Sequence, residues 1–517
     1  MKGAYLAKGW SMTKRMTRRN LLRLAGASAV GVAGLGGTVT LASARANRAG
    51  QDVYVEPEAA GGFVSRPGLK FLPVTVRQYG PVSRTRYIFI DVPYTAPGYG
   101  GGAIIDRTGQ LVWLGPDTDL RHKLDLNMQT LNGERVLTWW QGISVDGHGE
   151  GEGAIADSTY TVKHVIKAGN KLRADLHEFV ITPQGTALIS AYRTHSGVDL
   201  SALGGPSSGY IFSGVFQEID IATGAVLFEW ESYDPASPRV PLTETHLWLS
   251  PGLGTKALPF DYFHINSIVT DANGDYIVSS RHTWTVYNIS KADGSINWRL
   301  GGKSSDFTLE PQAVFHWQHH VRVHGHGTMT VFDNGARPGA HTEQQSRALL
   351  LNVDLTARKV SLVRAFVHPG TPKVLATALG SAQLLPDGGM FVDWGGARRF
   401  SQFAADGTLV LDGEMKYSSY RAFSMEWTGH PTGAPAVAAR RSATGATVYV
   451  SWNGATEVAS WTVFAGRSKT GLSRVGSVPK TGFETAIAVR DPGPYFAVHA
   501  LDSAKAVLGT SPTVVIT

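Results

Sequence analysis

A short phrase recurs along this sequence, and it constrains the fold more than any other feature. In each copy a turn with Asp-Gly, Asn-Gly or Thr-Gly precedes a β-prone run that often ends near tryptophan, as in Asn132-Gly133 and residues 134–140. Asx-Gly pairs supply the positive φ angles of tight hairpin turns, and the apolar runs supply strands. Further copies begin at Asp106, Thr223, Asn273, Asp293, Asp387 and Asp406. The sequence therefore predicts an all-β chain with many short strands.

The irregular spacing of these strand groups is typical of a β-propeller, in which four-stranded units surround an axis. The high content of turn formers, 60 Gly and 25 Pro in 517 residues, also favours short strands over long helices. We predict a six-bladed propeller over residues 50–430, with about 60 residues in each blade, somewhat more than in common propeller repeats. An array of β-sandwiches is the alternative.

The composition changes near Pro431-Thr432-Gly433-Ala434-Pro435. Beyond this point several runs alternate apolar and polar residues, with an early tryptophan and a late Tyr-x-x-x-x-Ala phrase at Tyr495 to Ala500. Such a pattern resembles a small fibronectin type III sandwich. We predict this domain over residues 436–517, as a spacer or a carbohydrate-contact module.

The first 46 residues are predicted to be a twin-arginine signal peptide. Arg18-Arg19 precede an uncharged stretch at residues 24–44, and small residues follow around Ala44-Arg45-Ala46. A charged start, a modest apolar middle and a small-residue exit form an export signal, and paired arginines indicate the route for folded proteins. The expected location is outside the cell or in its envelope, and the expected partner is the twin-arginine export machinery. A retained membrane anchor is the alternative.

Removing this segment changes the charge of the chain. The full sequence has 48 Lys and Arg against 41 Asp and Glu, but residues 1–46 hold eight basic residues and no acidic ones, which leaves 40 against 41. A near-neutral mature chain without a basic run argues against a nucleic-acid partner. The sequence has no cysteine, so disulfides, thiolate metal sites and cysteine nucleophiles are excluded.

Four candidate catalytic residues lie in separate motifs next to predicted strands: His177, His264, Arg281 and His319. A propeller would bring equivalent strand positions to one central channel, where a nucleophile, an acid or base and an anion clamp could meet. Taken singly, each has a structural alternative, because buried histidines often satisfy a carbonyl and arginines at strand ends often pair with a carboxylate. Together they predict an active site that moves an anionic group.

Neither a metal nor a cofactor is expected at this site. Residues 316–326 are rich in histidine, and imidazole is a common metal ligand. However, the adjacent His319 and His320 would point to opposite faces of a strand, and no H-E-x-x-H spacing occurs. The sequence also lacks the G-x-x-x-x-G-K-[ST] phosphate loop, which argues against a nucleotide donor. A neutral histidine that accepts an electrophilic group fits the set better.

Several phrases in residues 90–400 resemble the bacterial arylsulfotransferase family, particularly its secreted branch. They are Asp175-Leu176-His177-Glu178-Phe179, Asp261-Tyr262-Phe263-His264-Ile265-Asn266-Ser267-Ile268, Ser279-Ser280-Arg281-His282, Trp298-Arg299-Leu300-Gly301-Gly302-Lys303, Trp317-Gln318-His319 and Phe332-Asp333-Asn334. The resemblance implies a six-bladed propeller with its site in the central channel. It also implies PAPS-independent transfer of sulfate from a phenolic sulfate ester to a phenol, through a sulfohistidine and without a cofactor.

The resemblance also implies roles for individual residues. His319 would become sulfated, His264 and Arg281 would bind the sulfuryl oxygens, and His264 would exchange a proton with the phenol. His177 would complete the polar ring and Asn266 would support it. The additional substrate-binding candidates are Asn266, His282 and His320. The chain departs from the family at His320, where the family has a different residue type, and it lacks the disulfide of periplasmic members.

A second function from another class remains open. An exported propeller without enzymatic activity would use its tryptophans and its C-terminal domain to bind an extracellular glycan or a phenolic ligand. Turnover of an aryl sulfate distinguishes the two, because only the enzyme would release phenol and need a second phenol for efficient turnover. A hydrolase would release phenol without depending on the acceptor.

Overall fold

The computed structural model describes residues 62–82, 85–96, 99–115, 121–145, 147–490 and 493–517, all within one compact unit. The predicted signal peptide at residues 1–46 lies outside them. The described part of the chain has no helix long and apolar enough to cross a membrane. Its helical elements are four short 3-10 turns at Ser201–Leu203, Leu242–Glu244, Pro311–Ala313 and Gly395–Ala397.

The prediction of an all-β fold is confirmed, since strands follow one another along the described chain. The first twelve are β1 (Thr75–Gln78), β2 (Tyr87–Ala96), β3 (Tyr99–Asp106), β4 (Leu111–Leu114), β5 (His122–Leu131), β6 (Glu134–Val145), β7 (His148–Ala156), β8 (Val162–Ile166), β9 (Ala174–Ile181), β10 (Thr186–Val198), β11 (Gly209–Asp220) and β12 (Val226–Glu231). The next twelve are β13 (Phe260–Asp261), β14 (Ile265–Thr270), β15 (Tyr276–Ser280), β16 (Thr285–Ile289), β17 (Ile296–Gly301), β18 (Thr308–Leu309), β19 (His319–Val323), β20 (Thr328–Asp333), β21 (Ala336–Arg337), β22 (Ala340–His341), β23 (Arg347–Asp354) and β24 (Lys359–Phe366). The remaining strands are β25 (Ser381–Leu384), β26 (Met390–Asp393), β27 (Arg399–Phe403), β28 (Leu409–Glu414), β29 (Ala422–Met425), β30 (Ala436–Ser442), β31 (Gly445–Ser451), β32 (Ser460–Gly466), β33 (Ser473–Pro479), β34 (Glu484–Arg490), β35 (Tyr495–Leu501), β36 (Val507–Thr510) and β37 (Val514–Val515).

The recurring turn phrase marks the hairpins, as predicted. Between β5 and β6, Asn132 and Gly133 have φ angles of 52° and 83°, so both central residues adopt the left-handed conformation of a type I′ turn. The other copies of the phrase also lie between paired antiparallel strands, such as β11 with β12 and β14 with β15. These turns set the register that places one apolar face of each strand in the core.

The strands before residue 430 form successive sheets that are antiparallel except where β13 pairs with β11 and β18 pairs with β24. The first has the order β29-β2-β3-β4. The second is larger, with the order β5-β6-β7-β9-β10-β11-β12, and in it β8 pairs with β7 and β13 pairs with β11. The next three have the orders β14-β15-β16-β17, β19-β20-β23-β24-β18 and β25-β26-β27-β28-β1. Strand β29 contacts β5, and contacts continue from β5 to β9, β14, β19 and β25, which returns to β29. These strands therefore follow one another in a closed cycle, with apolar clusters between neighbouring sheets.

A buried ionic network joins the strands of this cycle. Arg421, just before β29, donates to Asp125 at 3.0 Å and to Glu178 at 2.7 Å. It also donates to the backbone carbonyls of His177 and Asn266, both at 2.9 Å. One fully buried guanidinium thus holds the backbones of strands β9 and β14 at fixed positions.

Two further sheets lie after residue 435, with the orders β30-β31-β34 and β33-β32-β35-β36, and β37 pairs with β35. They share an apolar cluster around Trp461, which is fully buried and donates to Thr485 at 3.2 Å. Tyr160 donates to the Gly454 carbonyl at 2.7 Å and so connects these sheets with the rest of the chain. The predicted domain boundary near residue 430 stays a prediction.

Candidate active site

A cavity of about 1000 Å³ opens where the starts of several cycle strands meet. Its titratable lining residues are His148, Glu150, His177, Asp261, His264, Arg281, His282, His319 and Tyr420. The four sequence-predicted catalytic residues, together with His282, are thus brought into one cavity. Asn266 and His320 are not among its lining residues.

Each of the four candidates lies within a strand or next to a strand end. His177 lies in β9 and His319 is the first residue of β19, while His264 immediately precedes β14 and Arg281 immediately follows β15. The Arg281 backbone N–H donates to the His264 carbonyl at 2.9 Å, which extends the pairing of β14 with β15 to these two residues. The backbone therefore fixes the spacing of the candidates before their side chains interact.

Asp261 organises the histidines on one side of the cavity. It accepts hydrogen bonds from the His264 backbone N–H at 2.8 Å, from His264 Nδ1 at 2.5 Å and from His148 Nε2 at 3.0 Å. Burial alone would raise the pKa of Asp261, but His264 and His148 hold it well below its usual value. Burial lowers the pKa of His264 to about 4, so its imidazole is neutral at pH 7 with the proton on Nδ1. Its Nε2 is the nitrogen left for substrate.

Asp175 plays the same part for His177. The His177 Nδ1 donates to Asp175 at 2.5 Å, and the Gly149 N–H donates to the other carboxylate oxygen at 2.6 Å. Tyr420 donates to the His177 carbonyl at 2.8 Å. The ring centroids of His177 and His264 are 4.7 Å apart with the rings nearly perpendicular, so two imidazoles with carboxylate partners are in edge-to-face contact.

Arg281 is held from three sides. Its Nη1 donates to His282 Nε2 at 3.0 Å, its Nη2 donates to the Thr377 carbonyl at 2.9 Å, and its guanidinium lies 5.3 Å from the centre of the Trp317 ring. The buried Nε has no partner among the described residues. Burial lowers the pKa of Arg281 to about 10, so the group is still a cation at neutral pH. The cavity therefore holds an oriented positive charge.

The structure fixes His282 as a neutral imidazole. Its Nδ1 donates to the Asp261 carbonyl at 2.7 Å, while its Nε2 accepts from Arg281. Burial lowers the pKa of His282 well below its usual value, in agreement with a ring that accepts from a guanidinium. Both of its nitrogens are used within the protein, so its position suits the orientation of Arg281 better than direct contact with a substrate.

His319 differs from the other histidines because its partner is an amide. Its Nδ1 lies 2.6 Å from Asn334 Oδ1, while Asn334 Nδ2 donates to the carbonyls of Ala376 and Leu379, both at 3.0 Å. Since the amide oxygen faces the ring, Nδ1 carries the proton and Nε2 carries a lone pair. Burial, and then Arg281, lower the pKa of His319 well below its usual value. The ring is therefore neutral, with an unprotonated Nε2.

Two predicted site residues lie outside the cavity. His320 is buried on the opposite side of β19, with Nδ1 3.2 Å from the Ala382 carbonyl and its ring 5.5 Å from that of Phe423. The position of His320 gives no support to a substrate-binding role. Asn266 is also buried, and it donates to the Gln318 carbonyl at 2.6 Å. It supports the backbone one residue before His319.

Sequence reasoning missed several residues that shape the site: His148, Asp175, Asp261 and Asn334. The D-x-H and D-x-x-H spacings at 175–177 and 261–264 are a local signal for the two carboxylates. Asn334 could have been found from the hairpin register, because Phe332 pairs with His319 across β19 and β20. His148 has no such signal, since it comes from a different sheet strand in a glycine-rich segment.

His148, Asp261 and His264 form the one group in the described residues whose donor atoms could surround a metal ion. However, His264 Nδ1 and Asp261 Oδ2 are only 2.5 Å apart. Two ligands of one ion with bonds near 2.0–2.1 Å would be separated by roughly 3 Å. The observed spacing is that of a hydrogen bond, and the absence of a metal stays a prediction.

Several solved structures are distantly similar to this chain. A protein of unknown function from Bacteroides caccae is 13% identical, with a TM-score of 0.40, and the match covers 65% of this chain and 98% of that one. A protein from Lactobacillus plantarum is 13% identical, with a TM-score of 0.35 and coverage of 78% and 100%. A streptogramin B lyase is 8% identical, with a TM-score of 0.33 and coverage of 67% and 89%.

No curated protein matches the chain. A family model described as Arylsulfotransferase (ASST) matches residues 127–416, which is more than half of the 517 residues. The matched segment contains the four candidate catalytic residues and both carboxylates that hold the histidines. The predicted family is therefore confirmed, and the chain belongs to the arylsulfotransferase family.

Proposed function

We propose that the protein is a PAPS-independent aryl sulfotransferase, which moves a sulfuryl group from a phenolic sulfate ester to a phenolic acceptor through a sulfohistidine at His319. The observation that carries this proposal is the partner of each histidine. His319 has the neutral Asn334, whereas His264 and His177 have the carboxylates Asp261 and Asp175.

These partners assign different chemistry to the rings. A carboxylate stabilises the imidazolium form, so His264 is suited to accept and return a proton. An amide orients the ring without stabilising its cation, so His319 stays neutral and keeps its Nε2 lone pair for attack. The pKa of His319, well below the usual value, favours this form.

Two half-reactions follow. In the first, His319 Nε2 attacks the sulfur, the bond from sulfur to the aryl oxygen breaks, and the phenolate leaves with the bonding pair. In the second, His264 Nε2 takes the proton of the acceptor phenol, whose oxygen attacks the sulfur. The bond from sulfur to His319 Nε2 then breaks, His319 regains its lone pair, and His264 passes its proton to the released phenolate or to water. Both steps pass through a sulfuryl group whose oxygens carry negative charge, and Arg281 is placed to stabilise it.

The proposal includes the architecture in its finer form. A six-bladed propeller is supported by the cyclic strand contacts and by six groups of strands: β29-β2-β3-β4, β5-β6-β7-β8, β9-β10-β11-β12, β14-β15-β16-β17, β19-β20-β23-β24 and β25-β26-β27-β28. A fibronectin type III-like sandwich is supported by the two facing sheets after residue 435. This sandwich is proposed as a spacer or as a contact with the cell envelope or a glycan.

Export by the twin-arginine machinery is part of the same proposal, and it depends on the sequence of residues 1–46 alone. Replacing Arg18 and Arg19 by lysine should retain the protein inside the cell. Normal appearance of that variant outside the cell would refute the proposed route.

The transfer itself is tested with purified protein that begins after residue 46. We expect release of 4-nitrophenol from its sulfate ester, stimulated by added phenol, and a peptide containing His319 that gains one SO₃ group when acceptor is left out. His319→Ala should lose both signals. His320→Gln is the matched control, because the neighbouring histidine points away from the cavity, and thermal melts should show that both variants fold. Absence of release from any aryl sulfate would favour the non-enzymatic binding protein.

A further inference from the structure

The cavity extends far beyond the cluster of histidines. Leu247, Leu253 and Leu258 line one wall, and Ile143 and Phe212 come from strands β6 and β11. The titratable groups contact one another at the catalytic end, and Glu150 is the exposed exception among the charged lining residues. The cavity therefore has a charged end that suits the sulfuryl group, and an apolar part that the sulfuryl group would leave empty.

The wall formed by residues 247–260 is anchored in the fold. Leu249 is buried in the apolar cluster shared with β11 and β14, and Leu253 packs against the same cluster. The Tyr210 N–H donates to the Gly254 carbonyl at 2.8 Å, and the Gly254 N–H donates to the Leu258 carbonyl at 2.9 Å. The segment then continues directly into β13 and Asp261. The apolar wall is thus preformed and has a fixed position relative to the Asp261 carboxylate.

Apolar side chains also reach solvent at the opening of the cavity. Ile143 is 63% exposed and Leu258 is 47% exposed, although both line the cavity, and they come from separate elements of the fold. Single exposed apolar residues are common, but two that border one apolar cavity indicate a surface that a ligand covers.

The cavity is large for a single-ring phenol. A volume of about 1000 Å³ lies at the upper end of the roughly 300–1,000 Å³ found for sites that take drug-sized ligands. A single-ring phenol would occupy only the part beside the histidines. It would leave the wall at Leu253 and the opening at Ile143 and Leu258 uncovered.

We propose that the aryl subsite of this protein takes large, uncharged, multi-ring phenols, and that the wall at residues 247–260 together with Ile143 selects them. This inference rests on the proposed function for the chemistry of the hydroxyl group, but not for the binding of the rings. The hydroxyl lies at the histidine cluster, and the rings extend along the apolar wall to the opening.

Binding is measured first, in a protein that cannot transfer sulfate. Binding of 1-hydroxypyrene to His319→Ala is measured by its fluorescence, and binding of 4-methylphenol is measured by its displacement of 1-hydroxypyrene. We expect a Kd for 1-hydroxypyrene at least tenfold lower than the Kd for 4-methylphenol. Pyranine has the same ring system with three sulfonates, and it should bind at least tenfold more weakly than 1-hydroxypyrene. Equal affinities for 1-hydroxypyrene and 4-methylphenol would overturn the proposal.

Selectivity is measured second, in the active protein with 4-nitrophenyl sulfate as donor. The ratio of kcat/KM for 1-hydroxypyrene to that for 4-methylphenol should fall about tenfold in Leu258→Ser with Ile143→Ser. Leu355→Ser is the matched control, because this leucine is 53% exposed in a hairpin away from the cavity, and its ratio should equal that of the unmodified protein. An unchanged ratio in the double variant would also overturn the proposal. Tight binding of 1-hydroxypyrene without any sulfate transfer would refute the proposed function and leave the subsite intact.

Discussion

Asp261→Asn is the most informative single substitution in this site. Asp261 Oδ1 accepts from the His264 backbone, and asparagine can keep this bond with its own oxygen. Its amide NH₂ group would then face His264 Nδ1, where a carboxylate oxygen now accepts a proton at 2.5 Å. The His264 ring must give up the Nδ1 proton and carry it on Nε2, so it can no longer accept the proton of a phenol.

The size of the effect follows from the lost charge. A carboxylate and an imidazolium with centres about 4 Å apart attract one another by about 4 kcal/mol at an effective dielectric constant near 20. Each 1.36 kcal/mol changes a rate tenfold, so the acceptor step should slow by roughly 10³-fold. This estimate lies within the range of roughly 10²–10⁴ that general acid or base catalysis contributes.

The assay separates the two half-reactions. With 4-nitrophenyl sulfate, the initial burst of 4-nitrophenol should change only a few fold, because this phenolate leaves without a proton. Turnover stimulated by phenol should fall by the predicted factor, and more acidic phenols should restore part of it. Asp293→Asn, in an exposed hairpin, is the matched control. An unchanged acceptor-dependent turnover, or an equal loss in burst and turnover, would refute the proton-transfer role of His264.

Three further predictions concern charge. Arg281→Lys should lower kcat/KM for the donor by roughly 10²–10³-fold, because lysine cannot bond His282 and the Thr377 carbonyl while it stacks on a ring. Arg421→Met should lower the free energy of unfolding in urea by about 3–5 kcal/mol, because it leaves the buried Asp125 without its cation and Glu178 with Arg322 alone. The donor kcat/KM should stay level as the pH falls from 7 through 6.5, since the neutral form of His319 is the nucleophile and its pKa is well below the usual value.

Each of these predictions has a contrary outcome. Full activity of Arg281→Lys would show that a point charge is sufficient at this position. Arg135→Met, at an exposed position, is the control for Arg421→Met. Equal free energies of unfolding for these two variants would refute a stabilising role of the ionic network. A fall in the donor kcat/KM toward acidic pH with its midpoint near 6.5 would mean that the nucleophile is an imidazole with its usual pKa. Circular dichroism at each pH would separate titration from unfolding.

The sequence predicted the strands and the meeting of His177, His264, Arg281 and His319, because tight turns and positions within or next to strands are local properties. It did not predict which partner each histidine would have. Two carboxylates lie within three residues of their histidines and were within reach of a spacing argument. Asn334 depends on hairpin register, and this amide is what distinguishes the proposed nucleophile.

The remaining differences have non-local causes. Arg421 contacts Glu178 across 243 residues of sequence, and no local pattern signals such a contact. The wall at residues 247–260 has no regular periodicity, so its apolar side chains gave no functional signal. His320 shows the opposite case, because strand alternation already placed it on the other face from His319, and the structure puts it outside the cavity.

The pairing of β29 with β2 has a consequence for how the chain is completed. Thr85 and Ser424 are 339 residues apart in sequence, yet their hydroxyls lie 2.6 Å apart where these strands meet. The entropic cost of bringing together two segments of a chain grows only slowly with the number of residues between them. A chain that ends before residue 422 therefore lacks the strand that covers the edge of β2, and one that ends before residue 421 also lacks the buried cation. Unfinished copies would expose an open sheet edge that proteases and chaperones can recognise, so closure of the strand cycle distinguishes finished copies from incomplete ones.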